Sequence, residues 1–483
     1  MIETPTLVFG PVLPELILVG VGIIGLLYEA LMRKPDRSIH LAIGLLGLLA
    51  AAIATLRLWN WDGDPVVLGG SVSADKFAVV ACMILLVVAA FGLVYGTHYF
   101  ARDPAAAKGE YYPLVLFATA GMTLIAAAAD LIVMFLALEI LSLSLYVLTG
   151  ITGSRRGNEA AMKYFLLGAF ASAFFLYGVA MAYGAVDTTN IVEIVRAMSG
   201  QTGNQALALL SFAFLAIGFG FKVSAAPFHM WTPDVYQGAP TPVTAYMSAA
   251  TKVAAFAALI RVLMVAFQPL TWDWQPVIWV LAALSIVLGS VLAIAQTDIK
   301  RMLAYSSVAQ AGFILTGLVS GTAVGIRSAL FYLVAYSAMT LGAFGVVMLV
   351  SAKGEEQTSI TSYAGLSKRS PLLAGLMAIF MLSLAGIPPT AGFIAKVGVF
   401  ASAIGAGAWP LAVIGVLSSV VAAFFYLRVI VVMYMQEPQG EYDRDDALTP
   451  RLVLVVPAVV TIALGVFPGL IVGILEQASV LKW

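Results

Sequence analysis

The sequence predicts an all-α, polytopic membrane protein, and its composition is the first observation behind that prediction. Of the 483 residues, 61% are hydrophobic and only 10% are charged, and the mean hydropathy is +1.00. Because an average soluble protein is about 25% charged, this chain has too few charges to cover a water-exposed surface. The outside of the molecule is therefore expected to face lipid.

Apolar stretches long enough to cross a bilayer are the second observation. A spanning helix needs roughly 20 mostly apolar residues. About fourteen such stretches occur, at 12–31, 39–59, 77–98, 111–129, 131–152, 160–184, 205–227, 242–267, 274–295, 301–320, 325–351, 371–402, 408–435 and 450–474. We divide the chain into an N-terminal three-helix segment, two repeats and a C-terminal helix, at 1–110, 111–267, 274–435 and 450–483.

The distribution of Lys and Arg predicts the orientation. If the first loop faces the cytoplasm, the cytoplasmic segments hold fourteen of the 25 Lys and Arg residues and the opposite side holds five. Cytoplasmic loops of membrane proteins carry such an excess. We therefore expect both termini on the outer, periplasmic side. The formal net charge of zero argues against a nucleic-acid partner.

Cofactor ligands are scarce in this sequence. Cys82 is the single cysteine, and the three histidines do not share a helix face, which argues against a disulfide, an iron–sulfur cluster, a haem or a metal centre. The run Gly20–Gly25 matches the G-x-G-x-x-G pattern, but it lies within an apolar stretch with no preceding strand. Small residues there favour close helix packing, and we expect no cofactor in this chain.

Six of the Lys and Arg residues lie inside apolar stretches, where a charge is costly: Lys163, Lys222, Lys252, Arg261, Lys396 and Arg428. A charge at the bilayer centre costs about 2.5–3.5 kcal/mol and usually faces a bundle interior or a water path. Glu139 is about 13 Å deep, since it follows Asp130 by nine residues at ~1.5 Å each. Lys163 lies near a helix start, where its long side chain could reach the surface. Arg261 and Arg428 lie near helix ends and are expected to be structural.

Two of the charged stretches are interrupted by Pro and Gly. Lys222 precedes Pro227, and Lys396 follows Pro388-Pro389, so helices 7 and 12 are predicted to break at membrane depth, as at the ion sites of transporters. A shift of five helices relates the two breaks. Because five is odd, helices 4–8 and 9–13 are predicted to form two inverted five-helix repeats.

A row of buried amines and carboxyls can relay protons. Burial favours the neutral form of both a lysine and a glutamate, and pairing opposes this, so that moving one group changes the proton affinity of the other. Hydroxyl groups that could join them occur at Ser142, Ser144, Ser224, Thr251, Tyr305, Ser306 and Ser307. We predict a relay site of Glu139, Lys222, Lys252, Lys396 and Lys163.

Several motifs are similar to those of one known family: Gly109–Tyr112, Asp130–Leu143, Asn158–Gly168, Lys222–Tyr236, Gly238–Val243 and Lys300–Ser307. With these motifs the chain resembles, over about 100–435, the antiporter-like subunits of proton-pumping NADH:quinone oxidoreductase, respiratory complex I. Tyr336 and Thr340 stand where the larger antiporter-like chains carry His and Lys, and the long C-terminal lateral helix of the largest is absent. The length and Lys163 resemble the smallest, bacterial N-type chain.

The resemblance implies a function and partners. It implies that Glu139 pairs with Lys222, that Lys252 continues a central polar axis and that Lys396 passes protons onward. It also implies a subunit of an enzyme complex in the bacterial inner membrane, which translocates protons when electron transfer elsewhere drives it. The expected partners are the lipid bilayer and other membrane subunits, including antiporter-like ones, while NADH, FMN, iron–sulfur clusters and quinone belong to partner subunits.

Three alternatives remain open from the sequence. A cation/proton antiporter would share the lysines, but a metal-ion exchanger is expected to need more carboxylates than Glu139 on its ion path. A structural scaffold would have buried charges that only pair, so that neutral substitutions impair assembly and not pumping. The third alternative is the same subunit in a relative of complex I that uses ferredoxin or plastoquinone, since nothing in this chain identifies the electron donor.

Overall fold

The computed structural model describes residues 8–33, 35–102, 108–352, 355–438 and 448–481. Ten α-helices cover the first part of the chain: α1 Leu13–Leu31, α2 Arg37–Arg57, α3 Lys76–Arg102, α4 Tyr111–Ala127, α5 Leu131–Thr149, α6 Arg155–Val186, α7 Ile191–Ser199, α8 Gln205–Val223, α9 Thr232–Gly238 and α10 Thr241–Arg261. Nine follow: α11 Thr271–Ile294, α12 Ile299–Leu318, α13 Ala323–Leu349, α14 Leu366–Arg369, α15 Pro371–Ala385, α16 Ala391–Gly405, α17 Trp409–Met435, α18 Leu448–Val466 and α19 Gly469–Ala478.

Each predicted apolar stretch coincides with a helix or a helix pair, as expected for a helical membrane protein. In the described ranges, ten helices are long and apolar enough to span a membrane, and the bent pair α18–α19 would make eleven. Helices α4, α15 and α16 are shorter apolar helices. The count of fourteen spans stays a prediction.

The C-terminal stretch was predicted as one helix, but it forms two, α18 and α19, which meet at 85°. Pro468 lies in the break between them, and a proline disfavours helical backbone at the residue before it. The short helices α7, α9 and α14 were not predicted. The connections also hold two antiparallel hairpins of two-residue strands, β1 Val66–Val67 with β2 Val72–Ser73, and β3 Ser351–Ala352 with β4 Glu355–Glu356.

Polar side chains fix the starts of the helices that carry the candidate site. An N-cap side chain accepts a hydrogen bond from an unpaired backbone N–H of the first turn, which stabilises a helix by about 1 kcal/mol. Helices α5, α6, α8 and α12 begin in this way, at Asp130, Ser154, Asn204 and Asp298. The caps set where each helix starts, and so which residues of α5, α8 and α12 lie at mid-depth.

Two apolar stretches are interrupted at the predicted places. Helix α8 ends at Val223, and Ser224 follows with a left-handed φ of 61°. Helix α15 ends at Ala385, and Gly386 follows with a φ of 87°. Because a helix end leaves its last carbonyl groups without partners in the helix, each break presents free carbonyl oxygens inside the bundle.

The core of the bundle lies around α10 and α13. In each of these two helices, 94% of the most apolar window is buried, against 33–39% for α1, α2, α6 and α17. Small residues such as Ala249, Ala250 and Ala254 on α10 are fully enclosed and allow close helix approach. Lys252 on α10 is therefore enclosed by protein on every side.

Helix α10 also defines two ends of the bundle. The end at which α10 finishes holds Arg261 and its partner Asp75, and we call it the Asp75 end. The end at which α10 starts holds Asp234 and its partner Arg301, and we call it the Asp234 end. Of the residues that carry the predicted orientation, Lys34, Lys353, Arg444 and Lys482 lie outside the described residues, and the orientation stays a prediction.

Candidate functional site

Lys222 lies in the last turn of α8, inside the bundle. Its side chain is buried, and Nζ donates a hydrogen bond to the Ser142 hydroxyl of α5 at 2.6 Å. The Ser142 hydroxyl in turn donates to the Leu138 carbonyl of its own helix. The rings of Tyr146 and Tyr164 lie 5.8 and 5.7 Å from Nζ. The ammonium group is thus surrounded by neutral acceptors and aromatic faces.

Glu139 lies one turn before Ser142 on α5 and is partly exposed on the side of the bundle. Its Oε1 accepts a hydrogen bond from the Ser172 hydroxyl of α6 at 2.5 Å. Glu139 and Lys222, both described by the structure, are not within the 4.0 Å of an ion pair. The direct pair that the resemblance implied is therefore absent, because Ser142 takes the ammonium and Ser172 takes the carboxylate.

Lys252 continues from Lys222 toward the centre of the bundle. It is fully buried, and Nζ donates to the Val223 carbonyl, the last of α8, at 2.6 Å. The negative end of a helix dipole favours a cation at this position. On its other side, the ring of Tyr336 from α13 lies 5.9 Å from Nζ. The break in α8 thus links the two lysines through the backbone of Lys222 and Val223.

Hydroxyl and amide groups extend the row beyond Lys252. Tyr336 donates to Ser307 of α12 at 2.9 Å, and the neighbouring Ser306 contacts the Tyr426 hydroxyl of α17. Gln310 donates to the Tyr426 hydroxyl at 3.2 Å and to the Leu384 carbonyl at 3.1 Å. This segment joins α13, α12, α17 and the end of α15.

Lys396 lies at the far end of the row, in the first turns of α16. It is buried, and Nζ donates to the Ala385 carbonyl at 2.9 Å and to the Ser419 hydroxyl at 3.2 Å. The ring of Phe313 lies 4.6 Å from Nζ. Ala385 is the last residue of α15, so that Lys396, like Lys252, binds the final carbonyl of a broken helix. We call the row from Glu139 to Lys396 the polar axis.

Three comparisons with known proteins agree with this architecture. The family model described as NADH:quinone oxidoreductase/Mrp antiporter, TM matches residues 128–422. NADH-quinone oxidoreductase subunit N of Rhodococcus opacus is 43% identical, over 99% of this chain and 97% of that protein. The same subunit of Trichlorobacter lovleyi is 44% identical, over 97% of this chain and 96% of that protein. The chain belongs to the NADH-quinone oxidoreductase subunit N family.

A solved member of this family's complex has the same fold. A chain of respiratory complex I from Thermus thermophilus with bound aureothin superimposes with a TM-score of 0.81 at 35% identity, covering 95% of this chain and 99% of that chain. The fold shared with that complex I chain therefore extends over nearly the whole sequence, beyond the 100–435 over which the motifs resemble the family.

Lys163 lies away from the polar axis of this subunit N family member, at the Asp234 end. Its side chain is 43% exposed and forms ion pairs with Glu159 at 2.8 Å and Asp234 at 3.0 Å. Partial burial raises the pKa of Asp234, but hydrogen bonds from Arg301 and Lys163 lower it by more, so that the pKa lies below its ordinary value. A pocket of about 230 Å³ opens beside these side chains. Lys163 thus reaches the surface instead of the interior.

Arg261 and Arg428 both bind groups at helix ends. Arg261 donates to both carboxylate oxygens of Asp75, at 3.0 and 2.7 Å, and to the Ala126 carbonyl at 2.9 Å. Arg428 donates to the carbonyls of Ile294 and Gln296, at 2.9 and 2.5 Å. These contacts tie helix ends together, and neither arginine touches the polar axis.

Sequence reasoning missed several polar groups. Lys300 lies just outside the predicted apolar stretch at 301–320, so a loop position was expected. It is instead 2% exposed and donates to the Ala239 carbonyl at 2.7 Å, with Glu356 at 3.6 Å. Gln310 was not singled out, although the spacing of Ser306, Ser307 and Gln310 places polar groups along α12 at helical intervals. Ser144 and Thr251, proposed as relay hydroxyls, bond to carbonyls of their own helices.

Proposed function

We propose that this chain is a proton-translocating membrane subunit of complex I, in which the polar axis conducts protons. NADH:quinone electron transfer in other subunits of the complex drives the translocation. The observation that carries the proposal is the environment of the buried lysines. Among the described residues, Lys222, Lys252 and Lys396 each have neutral hydroxyl or carbonyl acceptors and no carboxylate within ion-pair distance.

Neutral acceptors suit a group that must gain and lose a proton. A carboxylate in direct contact would hold a buried ammonium in its charged form, and breaking such a pair typically costs 3–5 kcal/mol. A carbonyl or hydroxyl stabilises the ammonium less, so each lysine can exist in the charged and in the neutral form. A change of charge at one site then alters the proton affinity of the next.

The contacts divide the polar axis into steps. In the first step, Lys222 binds Ser142, which lies one turn from Glu139 on α5. In the second step, Lys252 binds the carbonyl of Val223, the residue after Lys222 at the end of α8. Tyr336, Ser307 and Gln310 lie between Lys252 and Lys396. Protons would hop along these hydroxyl and amide groups and the waters between them. The pocket beside Lys163 and Asp234 would supply protons from the Asp234 end.

We further propose that helices 4–8 and 9–13 of the predicted fourteen are inverted repeats, within 111–267 and 274–435. The two breaks support this, since helix 7 is interrupted after Val223 and helix 12 after Ala385, each by a residue with a left-handed φ. Inverted repeats place ion sites near the midplane. The segment 1–110 and the C-terminal 450–483 would flank these repeats.

Partners and location complete the proposal. The Thermus thermophilus structure is that of a whole respiratory complex, and we infer that this chain joins other membrane subunits, including antiporter-like ones, in a bacterial inner membrane. Both termini would face the periplasm. In the described part of the chain, His, Cys, Asp and Glu form no group of three or more suited to a metal ion. The redox cofactors NADH, FMN, iron–sulfur clusters and quinone would belong to partner subunits.

The test is NADH-driven proton uptake by inverted membrane vesicles, with Lys222→Ala and Glu139→Gln compared with the wild type at matched amounts of assembled complex. Lower proton uptake per NADH oxidised, with the complex intact, is the expected result. Undiminished uptake at full assembly would leave the buried charges with a scaffold role. Sodium-dependent uptake would favour a cation antiporter instead.

A further inference from the structure

A buried carboxyl group lies outside the polar axis, at the Asp75 end. Glu15 is in the first turn of α1, with 9% of its surface exposed. Its Oε2 is buried and has no hydrogen-bond partner, and no described residue forms an ion pair with it. A carboxylate in this position would lack a counter-charge.

The charged and titratable groups of the neighbouring helices do not supply that counter-charge. On α10, Arg261 is engaged by both oxygens of Asp75, which precedes α3. On α3, the buried Cys82 thiol lies 3.7 Å from the Thr123 carbonyl. On α2, Arg57 is exposed, while Arg37 and His40 lie beside Glu29 near the opposite end of α1. The Asp75–Arg261 pair is neutral as a unit.

The balance of two effects favours a protonated Glu15. The N-terminal end of a helix stabilises a carboxylate only weakly, whereas burying an unpaired charge is far more costly. The cost of burial therefore outweighs the helix dipole, and the neutral carboxylic acid is the stable form.

Hydroxyl groups lie between Glu15 and the interior. The Thr123 hydroxyl of α4 lies beside the Glu15 carboxyl, and it donates a hydrogen bond to the Ala120 carbonyl of its own helix at 3.1 Å. Thr119 lies one turn away on α4, and its hydroxyl bonds to the Tyr246 hydroxyl of α10 at 2.8 Å. Tyr246 and Lys252 belong to the same helix. Each hydroxyl can accept one proton while donating another. The line would carry a proton once the hydroxyls of Thr123 and Thr119 rotate away from the carbonyls of Ala120 and Val115, to which they donate in this structure.

We propose that Glu15 is a second proton-binding site, a neutral acid at rest that releases and regains its proton during turnover. The proton leaves to water at the Asp75 end and is replaced along the line of Thr123, Thr119 and Tyr246. The Glu15 carboxyl lies on α1. It forms no hydrogen bond or ion pair with the residues of the polar axis, Glu139, Lys222, Lys252 and Lys396. Only its use in turnover rests on the proposed function.

Chemical labelling of the intact complex tests the protonated state. Dicyclohexylcarbodiimide is lipid-soluble and reacts with protonated carboxyl groups, and mass spectrometry of digested peptides locates the adducts. Glu193 is the matched control, because it is an exposed glutamate at the same end. We expect several-fold more modification at Glu15 than at Glu193. Equal or lower modification at Glu15 would overturn the proposal.

Proton uptake by inverted vesicles tests the use of Glu15. Glu15→Gln keeps the shape and the neutrality of the protonated acid, so the complex should assemble, yet take up fewer protons per NADH oxidised. Glu193→Gln should match the wild type. Uptake by Glu15→Gln equal to the wild type would overturn a role in turnover. Lys222→Ala is measured separately. Normal proton uptake by Lys222→Ala would contradict the polar axis, but it would not change the conclusion drawn from Glu15→Gln.

Discussion

Replacing Gly386 by Ala should displace Lys396 from its position at the end of the polar axis. Gly386 has a φ of 87°, and a Cβ built there would lie 2.8 Å from Cδ and 3.2 Å from Nζ of Lys396. Because the lysine side chain is flexible, it would move aside and lose its 2.9 Å hydrogen bond to the Ala385 carbonyl. The break between α15 and α16 thus depends on a residue without a side chain.

The magnitude has two parts. A left-handed backbone costs a residue other than glycine about 1–2 kcal/mol. Loss of a hydrogen bond to a charged group costs about 1.5–3 kcal/mol. The variant should therefore be less stable by about 2.5–5 kcal/mol. Proton uptake per NADH oxidised should fall because Lys396 no longer binds the Ala385 carbonyl.

Gly375→Ala provides a matched control inside α15, the helix that Gly386 follows. A Cβ at Gly375 would have no atom within 4 Å, and Ala for Gly inside a helix stabilises by about 0.5–1 kcal/mol. The assays are the thermal transition of the purified complex and proton uptake by inverted vesicles. If Gly386→Ala and Gly375→Ala had the same stability and the same uptake, the role assigned to this break would be refuted.

Three further predictions concern other contacts. Asp75→Asn leaves Arg261 buried without its carboxylate partner, so the complex should be less stable by about 3–5 kcal/mol in a thermal melt. Asp62→Asn, at an exposed carboxylate, should change the stability little. Equal stability of the two variants would contradict the buried pair. Lys163→Ala removes partly exposed ion pairs worth about 0–1 kcal/mol, so stability should hardly change, and a loss above 2 kcal/mol in a thermal melt would conflict with the exposed placement. Tyr336→Phe removes the hydroxyl that reaches Ser307 and should lower proton uptake without loss of assembly; uptake equal to the wild type would remove Tyr336 from the polar axis.

The helical architecture was largely predictable because lipid limits the backbone to few choices. Since no water is present to satisfy backbone groups, spanning segments become helices and breaks survive only inside the protein. The apolar stretches, the breaks near Pro227 and Pro388-Pro389, and the burial of Lys222, Lys252 and Lys396 could be read for that reason. The bend at Pro468 was missed because hydropathy alone does not report helix direction.

The partners of the lysines were much less predictable. Lys252 and Lys396 bind backbone carbonyls, at Val223 and Ala385, and every residue carries a carbonyl, so residue types give no signal. Lys300 was placed in a loop because it precedes the predicted apolar stretch at 301–320, yet it lies in the first turn of α12 and tertiary packing buries it. Glu139 and Lys222 are also kept from a direct ion pair by hydroxyl groups. Ser142 accepts a hydrogen bond from Lys222, and Ser172 donates one to Glu139.

Proton uptake by a complex with Lys252→Arg tests the central claim most directly, with Lys252→Met as the neutral companion variant. Arginine keeps the positive charge near the Val223 carbonyl, but a guanidinium does not release its proton at physiological pH. The account predicts that both variants, at matched assembly, take up fewer protons per NADH oxidised than the wild type. Full uptake by Lys252→Arg would show that a fixed charge suffices there, and would contradict a lysine that gains and loses a proton.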